Sequence, residues 1–445
     1  MTKEQFLTQF FSLLNKNSID YFVYGEYRYL PRDTGSSDID IVVNCDDIEL
    51  FDSIIKKTVN DGSVVLAAFY KNPTTKFYRF ITKEWGVQID VFFCGLRYKG
   101  CEYFPHHYLK KYIIEHNSIK VLSLEKGFYV GFFKEVIHNG RVKEKYLDAF
   151  LREFSENNKE CCSEIQDIYG DKILCFIKKH SKKNDLIKSA KLLQKLMIKK
   201  VMQGHLISFL LNKISVIFRL FCKRPGYVIV VEGTDGSGKS FIINSITPIV
   251  NEAFHNGVVY NHLRPNWLPD IAVVLGKRKK PKEGQEVKVV SDPHAGKQSG
   301  FVMSLVRWGW YMLDYTLGFL KKVWLPIHSR SKVFIFDRFY YEFYLDQKRS
   351  HVKLPNWIVR VGEFFLPKPD LILCLGGDPE KIYARKPETS LEEVKRQTAV
   401  LKDFCDKRKN AVWIDTTVKP EESIEAAMQA ITAMMSKRFK IDDVR

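Results

Sequence analysis

The clearest indication of a fold in the C-terminal half is the segment Tyr227-Val-Ile-Val-Val-Glu-Gly-Thr-Asp-Gly-Ser-Gly-Lys-Ser240. Its first part is apolar enough for a buried strand, and the helical run Phe241–Ile246 follows it. Between the two, Gly233–Ser240 fits the pattern G-x-x-x-x-G-K-[S/T]. Glycines let backbone N–H groups turn inward around phosphate oxygens, and a helix N-terminus adds partial positive charge. The stretch therefore predicts a phosphate-binding loop.

The residue types in this loop suit a nucleoside triphosphate. Lys239 can reach the β- and γ-phosphates, and the Ser240 hydroxyl can hold Mg²⁺. The residues expected to contact the nucleotide are Gly233, Thr234, Asp235, Gly236, Ser237, Gly238, Lys239 and Ser240. ATP and Mg²⁺ are therefore the ligands that the loop predicts.

Short apolar segments alternate with helical ones on both sides of the loop. The segments predicted as strands are Tyr227–Glu232, Val258–Asn261, Val333–Asp337, Leu371–Leu375 and Val412–Asp415. Such an alternation predicts a parallel sheet covered by helices on both faces. We expect this α/β domain to occupy residues 226–445.

Glu232–Ser240 resembles the phosphate-binding loop of thymidylate kinase. Asp337-Arg338-Phe339 is similar to that family's Asp-Arg-Tyr element. The resemblance implies that Arg338 holds the acceptor phosphate and that Asp337 lies near the metal and the reacting groups. Ala384-Arg385-Lys386 occupies the position of the family's lid, so Arg385 and Lys386 are expected to close on the transferring phosphate.

One segment departs from the thymidylate kinase pattern. Where that family has Arg-Glu-Pro, this chain has His262-Leu-Arg-Pro-Asn-Trp-Leu-Pro269, followed by the basic insertion Gly276–Gln298. Arg264 could still bind an anionic acceptor, but the arrangement that recognises thymine is not visible. The resemblance therefore predicts the phosphate donor and leaves the acceptor open.

A second set of charged residues lies in the N-terminal third. Asp38 and Asp40 stand two apart at an apolar strand, so they point to the same face and can share Mg²⁺. Asp90 is embedded in the apolar strand Val87–Phe93, where an unpartnered carboxylate would be costly. Solvation of an acidic pair at a strand end is the alternative.

Ser36–Val43 resembles the Asp-x-Asp strand of nucleotidyltransferases related to polymerase β, and Asp90 fits that family's third carboxylate. The resemblance implies that the three carboxylates converge and hold two metal ions for an in-line displacement at an α-phosphate. That family usually has Gly-Ser or Gly-Gly after its first strand, where the pair contacts the nucleotide phosphates. Here Gly25 is followed by Glu26, which would repel a phosphate. Either Arg28 or Arg32 compensates, or the domain is a weak or degenerate transferase. We expect a small mixed-sheet domain with trailing helices over residues 1–165.

A basic helical join is predicted over residues 166–225. Between Asp171 and Arg224 the chain has 14 Lys and Arg residues against two Asp, a net +12 of the whole chain's +18. Leu206–Cys222 is apolar except for Lys213 and one narrow polar stripe, formed by Ser208, Asn212, Ser215 and Arg219. This pattern is typical of an interfacial membrane helix, and also of a helix buried between two domains.

Hydrophobicity and cysteine content bear on where the protein is located and on whether it has disulfides or a zinc site. We find no signal peptide and no apolar stretch of about 18 residues, the length that a bilayer span requires. The nine cysteines are scattered, so we expect neither a disulfide framework nor a zinc site, and a cytoplasmic location or one at the inner face of a membrane. The aromatic-rich stretch Phe301–Trp324 is predicted as a core helix.

Three functional hypotheses follow. The first is a bifunctional kinase and nucleotidyltransferase acting on an anionic acceptor, such as a phosphorylated sugar or lipid-linked glycan, since the fusion resembles proteins of bacterial surface polysaccharide synthesis. The second is a nucleoside-monophosphate kinase with a degenerate nucleotidyltransferase domain. The third is a nucleic-acid-binding or defence module switched by ATP, against which the basic join lacks interleaved aromatic residues. The sequence specifies no oligomeric state.

Overall fold

The computed structural model describes residues 1–445 except 36, 60, 61, 157, 270, 275–298, 348, 350, 351 and 445. They form an α/β protein with one mixed and one parallel sheet, as the sequence predicts. The chain divides into two units. The first comprises Met1–Ile81, Trp85–Cys222 and Phe439–Arg445, and the second comprises Thr82–Glu84 and Lys223–Arg438. The basic segment up to Cys222 thus packs within the first unit, and the basic insertion Gly276–Gln298 lies outside the described residues.

The first unit is built on a seven-stranded sheet with the order β3-β4-β5-β2-β1-β9-β8, and β6 and β7 form a separate ribbon. Strand β2 pairs antiparallel with β1 and parallel with β5. The strands are β1 (Tyr21–Tyr24), β2 (Ile39–Val43), β3 (Val65–Asn72), β4 (Thr75–Ile81), β5 (Gly86–Phe93), β6 (Gly95–Tyr98), β7 (Cys101–Pro105), β8 (Ile113–His116) and β9 (Ile119–Leu122).

The helices of the first unit bury aromatic side chains against this sheet and against each other. Phe132 and Phe150, for example, stack with ring centroids 4.1 Å apart. The helices are α1 (Lys3–Lys16), α2 (Ile48–Val59), α3 (His106–Lys110), α4 (Leu124–Asn139), α5 (Glu144–Glu156), α6 (Asn158–Tyr169), α7 (Asp171–Lys179), α8 (Lys183–Gln203) and α9 (Leu206–Arg219). Thr2 caps α1 in a capping box with Gln5, which fixes where that helix begins.

The second unit contains a five-stranded, fully parallel sheet with the order β11-β12-β10-β13-β14. All five strands predicted for this half are present: β10 (Tyr227–Gly233), β11 (Val258–His262), β12 (Val333–Asp337), β13 (Leu371–Gly376) and β14 (Ala411–Asp415). Strands β10, β12 and β13 are buried along their whole length, as expected for the centre of a sheet covered on both faces.

Helices flank the strands of the second unit. They are α10 (Lys239–Ala253), α11 (Ile271–Val274), α12 (Phe301–Leu313), α13 (Leu325–Ser329), α14 (Glu342–Leu345), α15 (Asn356–Phe364), α16 (Pro379–Arg385), α17 (Leu391–Asp406) and α18 (Pro420–Arg438). Between α12 and α13 the chain continues through π-helical turns at Asp314–Gly318 and Leu320–Trp324.

The aromatic-rich stretch from Phe301 to Trp324 is only partly a core element. Tyr315, Phe319 and Val323 are buried against the sheet, whereas Phe301 and Val302 are exposed. The core-helix prediction is therefore confirmed for one face and wrong for the other.

Helix α9 packs on the first unit and leaves large apolar side chains exposed, among them Ile207 and Phe218. No single helix in the described part of the chain is long and apolar enough to cross a bilayer, and α8 and α9 pass that test only as a pair bent by 98°.

Cys45 and Cys94 form a disulfide, although the sequence did not indicate one. They follow the carboxyl ends of β2 and β5, which pair in parallel with Val43 opposite Phe93. Their Cα atoms are 5.4 Å apart, a distance that suits a disulfide. The expectation was wrong because strand pairing brings together two cysteines that are 49 positions apart in sequence.

Candidate functional site

The loop after β10 adopts a backbone that requires glycine. Gly236 and Gly238 have φ angles of +81° and +80°, in the left-handed region that side chains disfavour. A Cβ atom on Gly233 would lie 2.4 Å from Ser237 Oγ, and one on Gly236 would lie 2.7 Å from the Ile382 carbonyl oxygen. The loop is therefore a narrow cradle that ends at the N-terminus of α10.

Lys239, the first residue of α10, turns back over this cradle. Its Nζ donates hydrogen bonds of 2.8 Å to the carbonyl oxygens of Gly233 and Thr234. Burial, together with the charge of Arg338, lowers the pKa of Lys239 to about 7. The hydroxyls of Thr234 and Ser237 are buried and have no hydrogen-bond partner within the described chain. Phosphate oxygens would supply both the missing acceptors and the missing negative charge, so the loop fits the triphosphate that its sequence predicts. Ser240 is exposed on the first turn of α10.

Asp337 stands at the carboxyl end of β12, beside the loop, because β12 pairs in parallel with β10 and places Asp337 opposite Val231. Its Oδ2 accepts a hydrogen bond of 3.0 Å from the Tyr260 hydroxyl and lies 3.5 Å from His262 Nδ1. Burial alone would raise the pKa of Asp337, but the His262 hydrogen bond and the charge of Lys239 hold it below its usual value. Its Oδ1 is buried with no partner among the described residues, as a metal ligand would be.

Arg338 is fixed between two carboxylates. It has a φ of +68°, and its guanidinium donates hydrogen bonds of 2.6 Å to Glu342 Oε1 and to Asp235 Oδ1. Arg349 pairs with the other oxygen of Asp235. Burial would raise the pKa of Asp235, but the charges of Arg338, Lys239 and Arg349 hold it well below its usual value. Ion pairs thus join the loop to Arg338, which directly follows β12. The sequence analysis did not identify Glu342 and Arg349, because nothing in their local sequence indicates these ion pairs.

Arg264, expected to bind an acceptor, lies in a different environment. It is buried, and its guanidinium donates hydrogen bonds to Asp314 Oδ2 at 3.0 Å and to the Leu268 carbonyl oxygen at 3.1 Å. Asp314 also accepts hydrogen bonds from the backbone N–H groups of Trp267 and Leu268. These contacts fix the His262–Pro269 segment and hold Arg264 within it.

The predicted lid residues lie at the end of α16, close to the loop. The Ile382 carbonyl oxygen and Lys386 Cβ are the atoms that a side chain on Gly236 would meet, the latter at 3.3 Å. Arg385 donates a hydrogen bond of 2.8 Å to the Thr416 carbonyl oxygen, and Lys386 pairs with Glu388 at 2.9 Å. The structure therefore brings this predicted segment to the phosphate cradle.

The three N-terminal carboxylates also converge. Strands β2 and β5 pair in parallel with Asp40 opposite Asp90, and ligand atoms of Asp38, Asp40 and Asp90 all lie within 4.8 Å of one another. Burial raises the pKa of Asp40 to about 7, a rise that Lys134 opposes and that the charges of Asp38 and Asp90 increase. Burial also raises the pKa of Asp90, although Arg79 opposes it. Three oxygen donors that repel one another suit a hard cation such as Mg²⁺.

Two cations that the sequence analysis did not assign stand at this carboxylate cluster. Arg79, on β4, donates a hydrogen bond of 2.8 Å to Asp90, and Gln88 donates one of 3.1 Å to the other oxygen of the same carboxylate. Lys134, on α4, donates one of 3.3 Å to Asp40 and lies 4.7 Å from the centre of the Tyr24 ring. Arg79 and Lys134 thus neutralise part of the negative charge of the cluster. The sequence pattern around the carboxylates could not identify them, because they lie on β4 and α4, far from Asp38 and Asp40 in the chain.

Gly25, after β1, has a φ of +101°, and a Cβ placed on it would have nothing within 4 Å. The neighbouring Glu26 pairs with Arg28 at 2.7 Å, and this hydrogen bond lowers the pKa of Glu26. Of the two arginines proposed to compensate Glu26, Arg28 is the one in contact with it.

A cavity of about 760 Å³ in the second unit does not include the loop or Asp337 in its lining. Its lining includes Asp370 and Asn410, which precede β13 and β14, and Met434 of α18. It therefore lies between the amino end of β13, strand β14 and α18. Ligands of parallel sheets bind at the carboxyl ends, where the loop and Asp337 lie.

Comparison with known proteins assigns no role to these residues. Neither a protein-family model nor a curated protein matches the sequence. One solved structure that is similar to the chain is a thymidylate kinase from Ehrlichia chaffeensis, with 17% sequence identity, coverage of 43% of this chain and 87% of that chain, and a TM-score of 0.28. The interpretation of the loop therefore rests on its own residues and on their position between β10 and α10.

Proposed function

We propose that the second unit transfers the γ-phosphoryl group of ATP to an anionic acceptor. The observation that carries this proposal is the placement of Lys239, Asp337 and Arg338 together at the carboxyl ends of the paired strands β10 and β12. Phosphoryl transfer needs positioning and charge neutralisation more than covalent help from the protein, and this cluster supplies both.

Each residue has a distinct role in the proposed reaction. The loop N–H groups and Lys239 bind the β- and γ-phosphates, while an acceptor oxygen forms a bond to the γ-phosphorus and the bond to the departing ADP breaks. Mg²⁺, for which Ser240 and Asp337 are the ligands offered here, would neutralise phosphate charge. Arg338 donates a hydrogen bond to Asp235 of the loop, and we assign it the role of orienting an anionic acceptor towards the transferred group.

Arg385 and Lys386 complete this arrangement. They lie at the end of α16, whose backbone contacts Gly236 of the loop. A small shift of this segment would place their charges on the transferring phosphate and exclude water from it. We assign them the role of a lid.

For the acceptor we favour a phosphorylated sugar or a lipid-linked glycan over dTMP. Arg264 occupies the segment where thymidylate kinase has Arg-Glu-Pro, and here it is held by Asp314. A site that lacks its hydrogen bonds to a base can lose discrimination by about 10⁴ or more. We therefore expect dTMP to be a poor substrate.

The first unit supports a second proposed activity, which is metal-dependent nucleotidyl transfer. The convergence of Asp38, Asp40 and Asp90 on one site is the observation that favours it. Mg²⁺ held by these carboxylates would lower the pKa of an attacking hydroxyl and stabilise charge at the α-phosphate. Arg28 offsets the charge of Glu26, which removes one reason to regard the site as degenerate.

The test is an acceptor screen with the full chain, ATP and Mg²⁺. Candidate acceptors are nucleoside monophosphates, sugar phosphates and glycan lipids, each incubated with ATP labelled at the γ-phosphate. We expect transfer to a sugar phosphate or glycan lipid, and kcat/KM for dTMP below about 10⁴ M⁻¹s⁻¹. A dTMP value above this would make the protein a nucleoside-monophosphate kinase and contradict the acceptor that we favour. Absence of γ-transfer to every acceptor would contradict the kinase proposal.

A further inference from the structure

Helix α9 is fastened to the first unit through its polar face. Ser208 and Asn212 lie against Gly100, where a Cβ would meet the Ser208 carbonyl oxygen at 2.7 Å and Asn212 Cβ at 3.0 Å. Arg219 is buried, donates a hydrogen bond of 2.7 Å to Asn72 Oδ1 and lies 4.8 Å from the centre of the Tyr70 ring. A helix on the surface of a soluble protein normally turns its polar face outward, so the orientation of α9 is the reverse of the usual one.

The opposite face of α9 presents large apolar side chains to the surroundings. At 100° per residue they form one continuous stripe. Ile207, Leu210, Leu211, Ile214, Ile217 and Phe218 are each between 49% and 75% exposed. Contiguous apolar surfaces of this kind mark interaction sites.

The segment of the chain that contains α9 is strongly basic. The segment from Asp171 to Arg224 has 14 basic residues against two acidic ones. Lys199 and Lys200 are exposed near the end of α8, Lys213 is exposed on α9 itself, and Lys223 is exposed just beyond it. Two copies of this chain meeting through α9 would bring their basic segments together, which like-charge repulsion disfavours.

We propose that α9 is an interfacial helix that docks the protein on a lipid bilayer with anionic headgroups. Its apolar side chains enter the boundary of the acyl chains, and the surrounding lysines contact the headgroups. The 14 residues of α9 span roughly 21 Å, less than the roughly 30 Å of hydrocarbon in a bilayer, so the helix lies in the plane of the surface. The proposal is independent of the phosphotransfer reaction and holds whatever the acceptor is.

The test is sedimentation of the full chain with vesicles of phosphatidylcholine alone, and with vesicles of equal parts phosphatidylcholine and phosphatidylglycerol. The variant Ile214→Gln with Phe218→Gln removes two apolar side chains from the exposed face. Its matched control, Leu50→Gln with Ile114→Gln, changes two exposed apolar residues elsewhere in the first unit. Circular dichroism and the thermal midpoint verify that both variants fold.

We expect the wild type and the control to sediment with the anionic vesicles and to be released by salt, which screens the headgroup charges. The α9 variant should show a partition coefficient lower by on the order of 30-fold. Wild-type protein that stays in solution with anionic vesicles at low salt would overturn the proposal, as would an α9 variant that sediments like the control. Sedimentation velocity in the absence of lipid gives a further outcome. A wild-type dimer that these substitutions dissociate, with no vesicle binding, would assign the face to a second copy and also overturn the proposal.

Discussion

The two charged clusters are built in the same way but differ in composition: the cluster in the second unit mixes cations with carboxylates, whereas the cluster in the first unit centres on three carboxylates. Each places its residues at neighbouring parallel strands, β10 with β12 in the second unit and β2 with β5 in the first. In the second unit, Lys239 and Arg338 both donate hydrogen bonds to the phosphate-binding loop after β10. In the first unit, three carboxylates lie within 4.8 Å of one another.

The charges of the two clusters are also balanced differently. Arg338 is held between Asp235 and Glu342, so its charge is paired within the protein. Lys134 and Arg79 pair with Asp40 and Asp90, yet burial and mutual repulsion still raise the pKa of Asp40 to about 7. In the first unit the carboxylates therefore repel one another despite two neighbouring cations, whereas Arg338 in the second unit has a carboxylate on each side.

The largest effect is expected from Lys239→Ala. Loss of a cation directed at transition-state charge should lower γ-phosphoryl transfer by about 10³-fold, with the fold retained. The measurement is transfer of γ-label to the acceptor found in the screen. Lys381→Ala, which removes an exposed lysine of α16, is the control and should keep full activity.

A stability measurement shows whether Arg264 stabilises the second unit as the partner of Asp314 or binds the acceptor. Arg264→Ala leaves the fully buried Asp314 without its counter-charge and should destabilise the second unit by about 3 kcal/mol in urea unfolding. Lys83→Ala breaks the exposed ion pair with Glu425 and should change stability by less than about 1 kcal/mol. If Arg264→Ala instead keeps its stability and raises the KM for the acceptor, Arg264 binds substrate and the structural role is wrong.

In the first unit, Asp38→Asn combined with Asp40→Asn should weaken Mg²⁺ binding and nucleotidyl transfer by about 100-fold. Asp46→Asn, at an exposed carboxylate in the turn after β2, is the matched control. Calorimetric titration with Mg²⁺ and transfer of α-label measure the two effects. Equal metal binding by the double variant and the control would exclude the carboxylate cluster as the metal site.

The smallest effect concerns the proton on Lys239. Its pKa of about 7 in the free protein lies below the ordinary value, so the side chain is mostly neutral at pH 8. Phosphate charge favours the protonated form and raises the pKa, so ATP binding at pH 8 should take up nearly one proton. At pH 6, where Lys239 is already protonated, uptake should be near zero. Calorimetry in buffers of different ionisation enthalpy measures this number, and equal uptake in Lys239→Ala would assign the proton to another group.

Much of this arrangement follows from local sequence. Apolar runs predict the parallel sheet of the second unit, and the loop pattern places Lys239 at the start of α10. The spacing of Asp38 and Asp40 on a strand predicts that they share a face. That Asp90 joins them was predicted from the resemblance to nucleotidyltransferases and from the cost of an unpaired carboxylate in an apolar strand.

The remaining contacts depend on partners that are distant in sequence. Arg79, Lys134 and Arg349 come from elements whose own patterns are ordinary. The Cys45–Cys94 disulfide requires the register of β2 against β5. The orientation of α9 was also not predictable, because a narrow polar stripe gives the same sequence pattern whether it faces water or the protein. The contacts of Asn212 with Gly100 and of Arg219 with Asn72 decide it.

The central claim is that the second unit transfers the γ-phosphate through the loop, independently of the carboxylates of the first unit. The most direct measurement follows α-label and γ-label from ATP in parallel, in the wild type, in Lys239→Ala and in the Asp38→Asn, Asp40→Asn variant. We predict that Lys239→Ala loses γ-transfer alone and that the carboxylate variant loses α-transfer alone. Undiminished γ-transfer in folded Lys239→Ala, or loss of γ-transfer in the carboxylate variant, would contradict this account.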